Sequence, residues 1–390
     1  MILDGPGEKA VLERITEFYP DLKRQLQATV SPKIKYWQGG KDPLDHIYIL
    51  LNQGDPNHGV PEHWHFITFG FSDLHGDGRV HEHTGPGQQS GYGFELTFRL
   101  RRQPGEEAAP RWPVFLLSSL AKYVFHSGNI LNCGDHIPWH KPLERNVQSN
   151  IQHMLLAKDV QLGSLETDHG NVQFRQIVGV TEAEVKAAHR WRGNGITNLL
   201  AQVPEAGGSL LVTDMRRQKS MFNLRPDLVK TVVESLEKEG CNLGNITAAC
   251  GWTDLSGNSN SENDEERELK KVHLTFDLEA AELLPLVVKG RLQQGKYFVF
   301  QNVSDQVMVF VPPDFTADMV LVDSTHRLKA QRKVLQIYCS AYFIDDLALE
   351  LEDLENPQQI KPYFPKVFQL ESPSVTITVS PNGTHVNTVT

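Results

Sequence analysis

Five histidines lie in the stretch Pro61–His83, which reads P-E-H-W-H-F-I-T-F-G-F-S-D-L-H-G-D-G-R-V-H-E-H. His63 and His65 are two residues apart, and in a β-strand this spacing places both imidazoles on one face, as in several metal sites built on sheets. Asp73 and Asp77 in the following turn could offer carboxylates to a hard cation, but the residue order of an EF-hand loop is missing. The stretch is therefore interpreted as a strand and a glycine-rich polar turn, with a metal site at His63 and His65 as the alternative.

A second group of reactive side chains occupies Cys133–His140, C-G-D-H-I-P-W-H, with a thiol, a carboxylate and two imidazoles. Neighbours in sequence seldom converge on one reacting atom, so this pattern favours a loop and strand edge that presents polar groups to a ligand. The chain also lacks a G-x-S-x-G elbow and a phosphate-binding G-x-x-x-x-G-K-[ST] loop. No catalytic residue is assigned, and the competing hypothesis is a metal-assisted enzyme that uses His63, His65 and Asp135.

The composition narrows the possible classes of protein. A chain of 390 residues with 39% hydrophobic residues is expected to fold as two domains. The net charge of −10 argues against direct nucleic-acid binding, which needs a basic surface. Four cysteines without a C-x-x-C pair indicate neither a zinc ribbon nor a disulfide framework. No apolar run is long enough to span a membrane, and the first residues lack a signal-peptide pattern, so a cytosolic or nuclear protein is expected.

Both stretches of reactive side chains lie within the first 253 residues, where the sequence pattern alternates between predicted strands and helices. These elements must hold the two stretches in position. Strands are predicted at 45–51, 64–71, 93–101, 172–180 and 209–215, and helices at 8–19, from Trp112 to 125, at 181–191, from about 195 and at 226–239. The strand at 93–101 alternates perfectly, which predicts a buried face of Phe94, Leu96, Phe98 and Leu100 and a solvent face of Glu95, Thr97, Arg99 and Arg101.

Residues 254–271 form a polar, charged run without periodicity, and this predicts a flexible linker. Beyond it, strands are predicted at 272–277, 297–301, 306–311, 333–339 and near 375–379, with helices at 279–292 and 341–354. The predicted fold class is α+β: two mixed α/β domains, residues 1–253 and 272–390, joined by the flexible linker and separated by a ligand cleft.

Several long stretches carry a resemblance to a known family. They include K-Y-W-Q-G-G-K-D-P-L-D, the histidine-rich stretch from Pro61, G-F-E-L-T-F-R-L, G-D-H-I-P-W-H, I-Q-H-M-L-L and T-D-M-R-R, and they span most of residues 35–220. The chain resembles the Suppressor of fused family, and V-H-L-T-F, L-P-L-V-V-K-G-R-L-Q-Q-G-K-Y-F and L-E-D-L extend the resemblance to the second domain. In that family the histidine-rich stretch corresponds to scaffold and not to a known metal site.

The resemblance implies a non-enzymatic negative regulator of Hedgehog signalling. Members bind zinc-finger transcription factors of the Gli/Ci class by gripping a short S-Y-G-H-containing segment as a β-strand between the two domains. It further implies action in the cytoplasm and nucleus, a corepressor and developmental role, and kinases and other Hedgehog-pathway proteins as further partners. Neither a cofactor, a metal, a nucleic acid nor a membrane is implied.

The resemblance also assigns residues to the peptide site. Tyr123 and Asp135 match the peptide-gripping positions, and Asp135 is expected to face the histidine of the peptide. His136 and Ile137 are expected on the pairing edge, and the second domain is expected to supply a facing strand of Val272, His273, Leu274, Thr275 and Phe276. Lys158 stands where vertebrate members carry a glutamate, and a long family insertion is reduced here to about residues 258–269.

Overall fold

The computed structural model describes residues 5–144, 148–256, 266–355 and 364–381. The chain divides into two compact units, Met1–Lys230 and Thr231–Thr390. The domain boundary predicted at residue 253 is therefore wrong, because strands at Asn245–Thr247 and Cys250–Asp254 pair with strands of the second unit. Of the predicted linker, residues 257–265 lie outside the described residues, and Arg267–Glu268 form a strand. Among the described residues, no helix combines the length and apolar character needed to cross a membrane.

An eight-stranded sheet organises the first unit, in the order β1-β2-β3-β4-β8-β6-β5, with β7 paired to β8. Only the β4–β8 pair is parallel. The strands are β1 Leu26–Val30, β2 His46–Asn52, β3 His63–Phe69, β4 Gln89–Arg101, β5 His136–Pro138, β6 His153–Lys158, β7 Ser164–Thr167 and β8 Gly170–Val180. The helices are α1 Pro6–Phe18, α2 Leu22–Gln25, α3 Trp112–Ser127, α4 Glu182–Arg190, α5 Gly193–Leu200, α6 Met221–Leu224 and α7 Asp227–Glu239, and the unit boundary falls within α7.

Both faces of this sheet are covered. On one face, the apolar side chains of β4 pack with α3 in a core that includes Phe94, Phe98 and Leu117. On the other face, α1 brings Val11 and Ile15 into a second apolar cluster. The predicted solvent face of β4 is therefore wrong for Glu95, Thr97 and Arg99, each of which is fully buried, and only Arg101 at the strand end is exposed.

The segment 209–215 was predicted as a strand and is not one. A three-residue helical turn, Gly208–Leu210, occupies its start, and Leu211 follows in the left-handed region with φ of 51°. A single bridge between Thr213 and Leu100 is all that remains of strand pairing. The left-handed residue reverses the chain direction, which an extended strand cannot accommodate.

The second unit contains two sheets around one apolar core. Their orders are β10-β12-β18-β17 and β11-β15-β16-β14-β13-β9. The strands are β9 Asn245–Thr247, β10 Cys250–Asp254, β11 Arg267–Glu268, β12 Lys271–Asp277, β13 Phe298–Gln301, β14 Val307–Val311, β15 Leu328–Gln331, β16 Val334–Tyr338, β17 Lys366–Glu371 and β18 Ser374–Ser380. The helices are α8 Leu278–Ala281, α9 Leu284–Gly290 and α10 Ala341–Glu350, so the single helix predicted at 279–292 is two short ones.

Candidate functional site

The strand β5 forms one end of the sheet in the first unit. Its inner side pairs antiparallel with β6, where Ile137 faces Met154, and its outer side pairs with no strand within the described ranges. An end strand of this kind presents unpaired backbone groups and can accept an added strand. The edge predicted at His136 and Ile137 is thus a free edge in the structure.

A β-bulge fixes which groups of β5 face outward. Leu156 of β6 donates its N–H to the carbonyl of Asp135 at 2.9 Å and accepts from the N–H of Gly134 at 2.8 Å, so two residues oppose one. Because bonded and non-bonded pairs alternate in an antiparallel ladder, Ile137 exchanges its bonds with β6. The N–H and C=O of His136 therefore point to the free side.

Asp135 lies at the start of this edge and is half-buried. Its Oδ2 accepts a hydrogen bond of 2.7 Å from the backbone N–H of Asn132, which fixes the carboxylate. Its Oδ1 accepts no hydrogen bond from any described residue and can accept one from a ligand. The geometry supplies an oriented acceptor beside two unpaired main-chain groups.

Tyr123 lies on α3 and is 48% exposed. Its hydroxyl accepts a hydrogen bond of 2.8 Å from Asn129, near the start of the loop that leads from α3 to β5. Asp135 closes the same loop through its bond to Asn132. The structure thus ties Tyr123 and Asp135 to the two ends of one loop, without a direct contact between them.

The basic and aromatic surroundings of the edge were not anticipated from the sequence. Arg175 of β8 is buried over the ring of Phe94, donates to the carbonyl of Leu131, and acts electrostatically on both Asp135 and Cys133. Burial raises the pKa of the Cys133 thiol, which is the opposite of what an activated nucleophile needs. The side chain of Lys158 is exposed at the end of β6.

His136 packs against His189 of α4, with ring centroids 5.0 Å apart. Burial lowers the pKa of His136, and burial together with the neighbouring His136 lowers that of His189. Both rings are therefore neutral at pH 7 and form an aromatic surface beside the edge. Ile137 is half-buried against the core under α3.

The predicted role of Val272–Phe276 as a facing edge is wrong. These residues form β12, which pairs with β10 on one side and with β18 on the other, so its backbone groups are already bonded. Val272, Leu274 and Phe276 are buried in the core of the second unit. The half-buried His273 is bonded through Nε2 to the hydroxyl of Thr378 at 2.8 Å. The sheet edges in the described part of this unit are β9, β10, β11 and β17.

His63 and His65 belong to a buried polar network on the face of the sheet covered by α1. Arg99 donates to His63 Nε2 at 3.1 Å and to both oxygens of Asp159 at 3.0 Å. His65 is bonded through Nδ1 to the hydroxyl of Tyr19 at 2.8 Å, and its Nε2 lies 3.3 Å from Asp159. Burial and the charge of Arg99 lower the pKa of His63 to about 3 and that of His65 to about 4.

The alternative site of His63, His65 and Asp135 is not assembled. Three of the four ring nitrogens are hydrogen-bonded to protein groups, and the fourth, Nε2 of His65, lies 3.3 Å from the Asp159 carboxylate. The guanidinium of Arg99 beside them opposes a cation. Three strands, β4, β8 and β6, separate β3 from β5. At the usual strand spacing this separation is about 19 Å, too far for a shared metal.

A family model described as "Suppressor of fused protein (SUFU)" matches residues 40–218, and one described as "Suppressor of Fused Gli/Ci N terminal binding domain" matches residues 263–379. The mouse and human proteins named Suppressor of fused homolog are each 35% identical to the chain, over 96% of its length and 92% of theirs. The chain belongs to the Suppressor of fused family. The family resemblance predicted from the sequence is confirmed.

Solved structures of the family agree. The crystal structure of Drosophila Suppressor of Fused matches with a TM-score of 0.81 at 29% identity, and 97% of each chain is covered. A chain from the Sufu–Fu complex is 42% identical, with a TM-score of 0.55, and covers 59% of this chain and 98% of its own length. The predicted class of mixed α/β domains is therefore confirmed.

Proposed function

We propose that this protein is a negative regulator of Hedgehog signalling that binds a Gli/Ci-type transcription factor by adding an S-Y-G-H-containing segment to the free edge of β5. The observation that carries the proposal is this edge, with an oriented carboxylate of Asp135 at its start. The match of residues 263–379 to a Gli/Ci-binding domain supports the choice of partner.

The edge sets the register of the added strand. His136 offers one donor and one acceptor on the free side, and Pro138, which has no N–H, offers only a carbonyl. Main-chain pairing at β5 therefore supplies at most about three hydrogen bonds. Specificity must then come from side chains, among them Asp135 and the aromatic surface of His136 and His189.

Asp135 is suited to the histidine of the segment. A protonated imidazole that donates to its free Oδ1 makes a charge-assisted bond, worth about 1.5–3 kcal/mol. The bonded Oδ2 keeps the carboxylate in place, so little conformational freedom is lost on binding.

The test is a titration of a fluorescently labelled S-Y-G-H peptide into the wild-type protein and into Asp135→Asn. The change keeps the shape of the side chain and removes its charge, so the affinity at pH 6 should fall by roughly tenfold to hundredfold. The difference between the two proteins should shrink as the pH rises above ~7 and the peptide imidazole loses its proton.

Asp21→Asn is the matched control, because Asp21 is exposed and its side chain caps no helix. It should bind the peptide as the wild type does at every pH. Equal affinities of the wild type and Asp135→Asn between pH 6 and 8.5 would remove Asp135 from the site.

The wider role is part of the same proposal. The protein acts as a binding protein and not an enzyme, retains the factor in the cytoplasm, and restrains transcription in the nucleus as a corepressor. The match to a chain of the Sufu–Fu complex supports a second partner of the Fu type. In cells, Asp135→Asn should release a co-expressed factor from the cytoplasm to the nucleus, as imaging of both tagged proteins would show.

A further inference from the structure

Three side chains capable of binding a metal meet at one end of the large sheet. Asp73 and His83 lie in the long loop between β3 and β4, and His169 lies in the tight turn between β7 and β8. One ligand atom from each lies within 4.8 Å of the others, and Nδ1 of His83 is 3.9 Å from Oδ2 of Asp73. The rings of His83 and His169 are 5.2 Å apart between centroids.

Two of these side chains are buried and contain polar atoms without a hydrogen-bond partner among the described residues. His169 is 8% exposed, yet neither of its ring nitrogens has a partner among the described residues. Asp73 is 3% exposed; its Oδ1 accepts from the backbone N–H groups of His75 and Gly76, whereas its Oδ2 accepts from none of the described groups. Burying polar atoms without partners is costly, so such atoms in one place call for a bound group.

We propose that Asp73, His83 and His169 bind one Zn²⁺ ion that joins the β3–β4 loop to the β7–β8 turn. Two imidazoles and one carboxylate are ligands that Zn²⁺ accepts, and three protein ligands leave a fourth position for water. His83 is exposed, so the ion enters and the fourth position opens on that side.

Contacts within the protein hold the segments of Asp73 and His169 in place independently of the metal. The hydroxyl of Thr84 donates to the carbonyl of His169 at 2.8 Å, which links the two segments. Ser90 accepts from the N–H of Asp73 at 3.0 Å. The His169 ring lies against Gly76, where a Cβ atom would come within 2.2 Å of the ring and where φ is +71°. Only glycine allows both this turn and this ring position.

A second group, His140, His153 and Glu182, is a weaker candidate. The His153 Nε2 lies 2.5 Å from the Glu182 carboxylate, and Lys186 contacts the same carboxylate at 3.2 Å. The carboxylate of Glu182 is thus already paired with the charge of Lys186, which competes with a metal ion for it. The group nevertheless provides an internal control for the metal experiment.

The experiment measures Zn²⁺ binding to the full chain after removal of metal, in competition with a chromogenic chelator, and repeats the titration with Co²⁺ to record its visible absorption. The wild type should bind one equivalent of Zn²⁺, and the His83→Asn and His169→Phe variants should both lose this binding. In each variant the affinity should fall by more than the roughly 10-fold to 100-fold that loss of an outer-shell partner costs.

His140→Asn should keep this equivalent, because it changes only the second group. His83 is exposed, so His83→Asn leaves the fold intact even if His169→Phe does not, and circular dichroism checks both. Zn²⁺ should also raise the melting temperature of the wild type and of His140→Asn, but not that of His83→Asn. The proposal would be overturned if the wild type showed no saturable Zn²⁺ binding. It would also be overturned if His83→Asn bound Zn²⁺ as the wild type does, or if His140→Asn lost the binding.

Discussion

The Arg99–Asp159 pair allows a test of whether the buried network around His63 and His65 on β3 stabilises the fold. Both side chains are fully buried, and Asp159 also accepts from Thr97 at 2.9 Å and from the N–H groups of Gln161 and Leu162 at 3.0 and 2.9 Å. Burial alone would raise the pKa of Asp159, but the charge of Arg99 holds it well below its usual value. The network around His63 and His65 therefore depends on one carboxylate.

Asp159→Asn keeps the size of this side chain and leaves the guanidinium buried without a counter-charge. Breaking a buried pair in this way costs about 3–5 kcal/mol, and in a unit of this size that corresponds to a fall in melting temperature of roughly 6–20 °C. The control is Asp214→Asn, which breaks the more exposed pair of Arg101 and Asp214; Arg101 lies two residues after Arg99 on β4. An exposed pair contributes about 0–1 kcal/mol.

Urea unfolding followed by tryptophan fluorescence is the assay, because five of the six tryptophans lie in the first unit. A double-mutant cycle with Arg99→Met should show that Asp159→Asn costs much less once the guanidinium is gone. If Asp159→Asn were no more destabilising than Asp214→Asn, or if the two changes were additive, the network would not hold the fold as argued.

Three further predictions concern pH, the pairing edge and the thiol. Because the folded pKa of His65 is about 4, its contribution to stability is complete above pH 6.5 and is lost as the pH falls towards 4. His65→Gln should therefore reduce the slope of the unfolding free energy against pH, between pH 4.5 and 6, by about 1.4 kcal/mol per pH unit. An unchanged slope in urea titrations would contradict this. His136→Pro removes the outward N–H of β5 and should weaken peptide binding with little loss of stability. Leu274→Pro lies in β12, which is paired on both sides, and should unfold the second unit. Calorimetry and hydrogen exchange distinguish these outcomes, and the reverse pattern would show that the edges are misassigned. Cys133 should react with iodoacetamide at pH 7 more slowly than free cysteine, because burial raises the pKa of its thiol. Faster labelling than that of free cysteine would support a catalytic role for Cys133.

The sequence pattern predicted elements better than it predicted their surroundings. Strict alternation located β4, but the same alternation assigned Glu95 and Arg99 to solvent, since period two separates faces and does not say what covers each face. The cover is α1, whose apolar residues lie far away in the sequence. The polar side chains on the face covered by α1 are stabilised by hydrogen bonds to one another, such as those from Thr68 and Ser72 to Glu95. A local sequence pattern does not show these bonds.

The candidate site was predictable only in part, and through the resemblance. Asp135 stands beside the edge expected for it, but β5 has three residues and ends in proline, which is too short for any periodic signal. The alternation of V-H-L-T-F predicted β12 as a strand, yet whether a strand is central depends on its partners, and these are remote in sequence. The same holds for Asp73, His83 and His169, because His169 comes from a turn far along the chain.

The pairing of β12 with β18 has a consequence for how the protein is made. Lys271 pairs with Ser374, so the strands meet across 374 − 271 = 103 residues of chain. During synthesis, one side of the apolar strand β12 remains an open template until nearly the whole second unit has emerged, and parallel pairing over such a distance is slow. We therefore expect the nascent second unit to depend on chaperones, and truncations that remove β18 to produce aggregates and not a smaller folded unit.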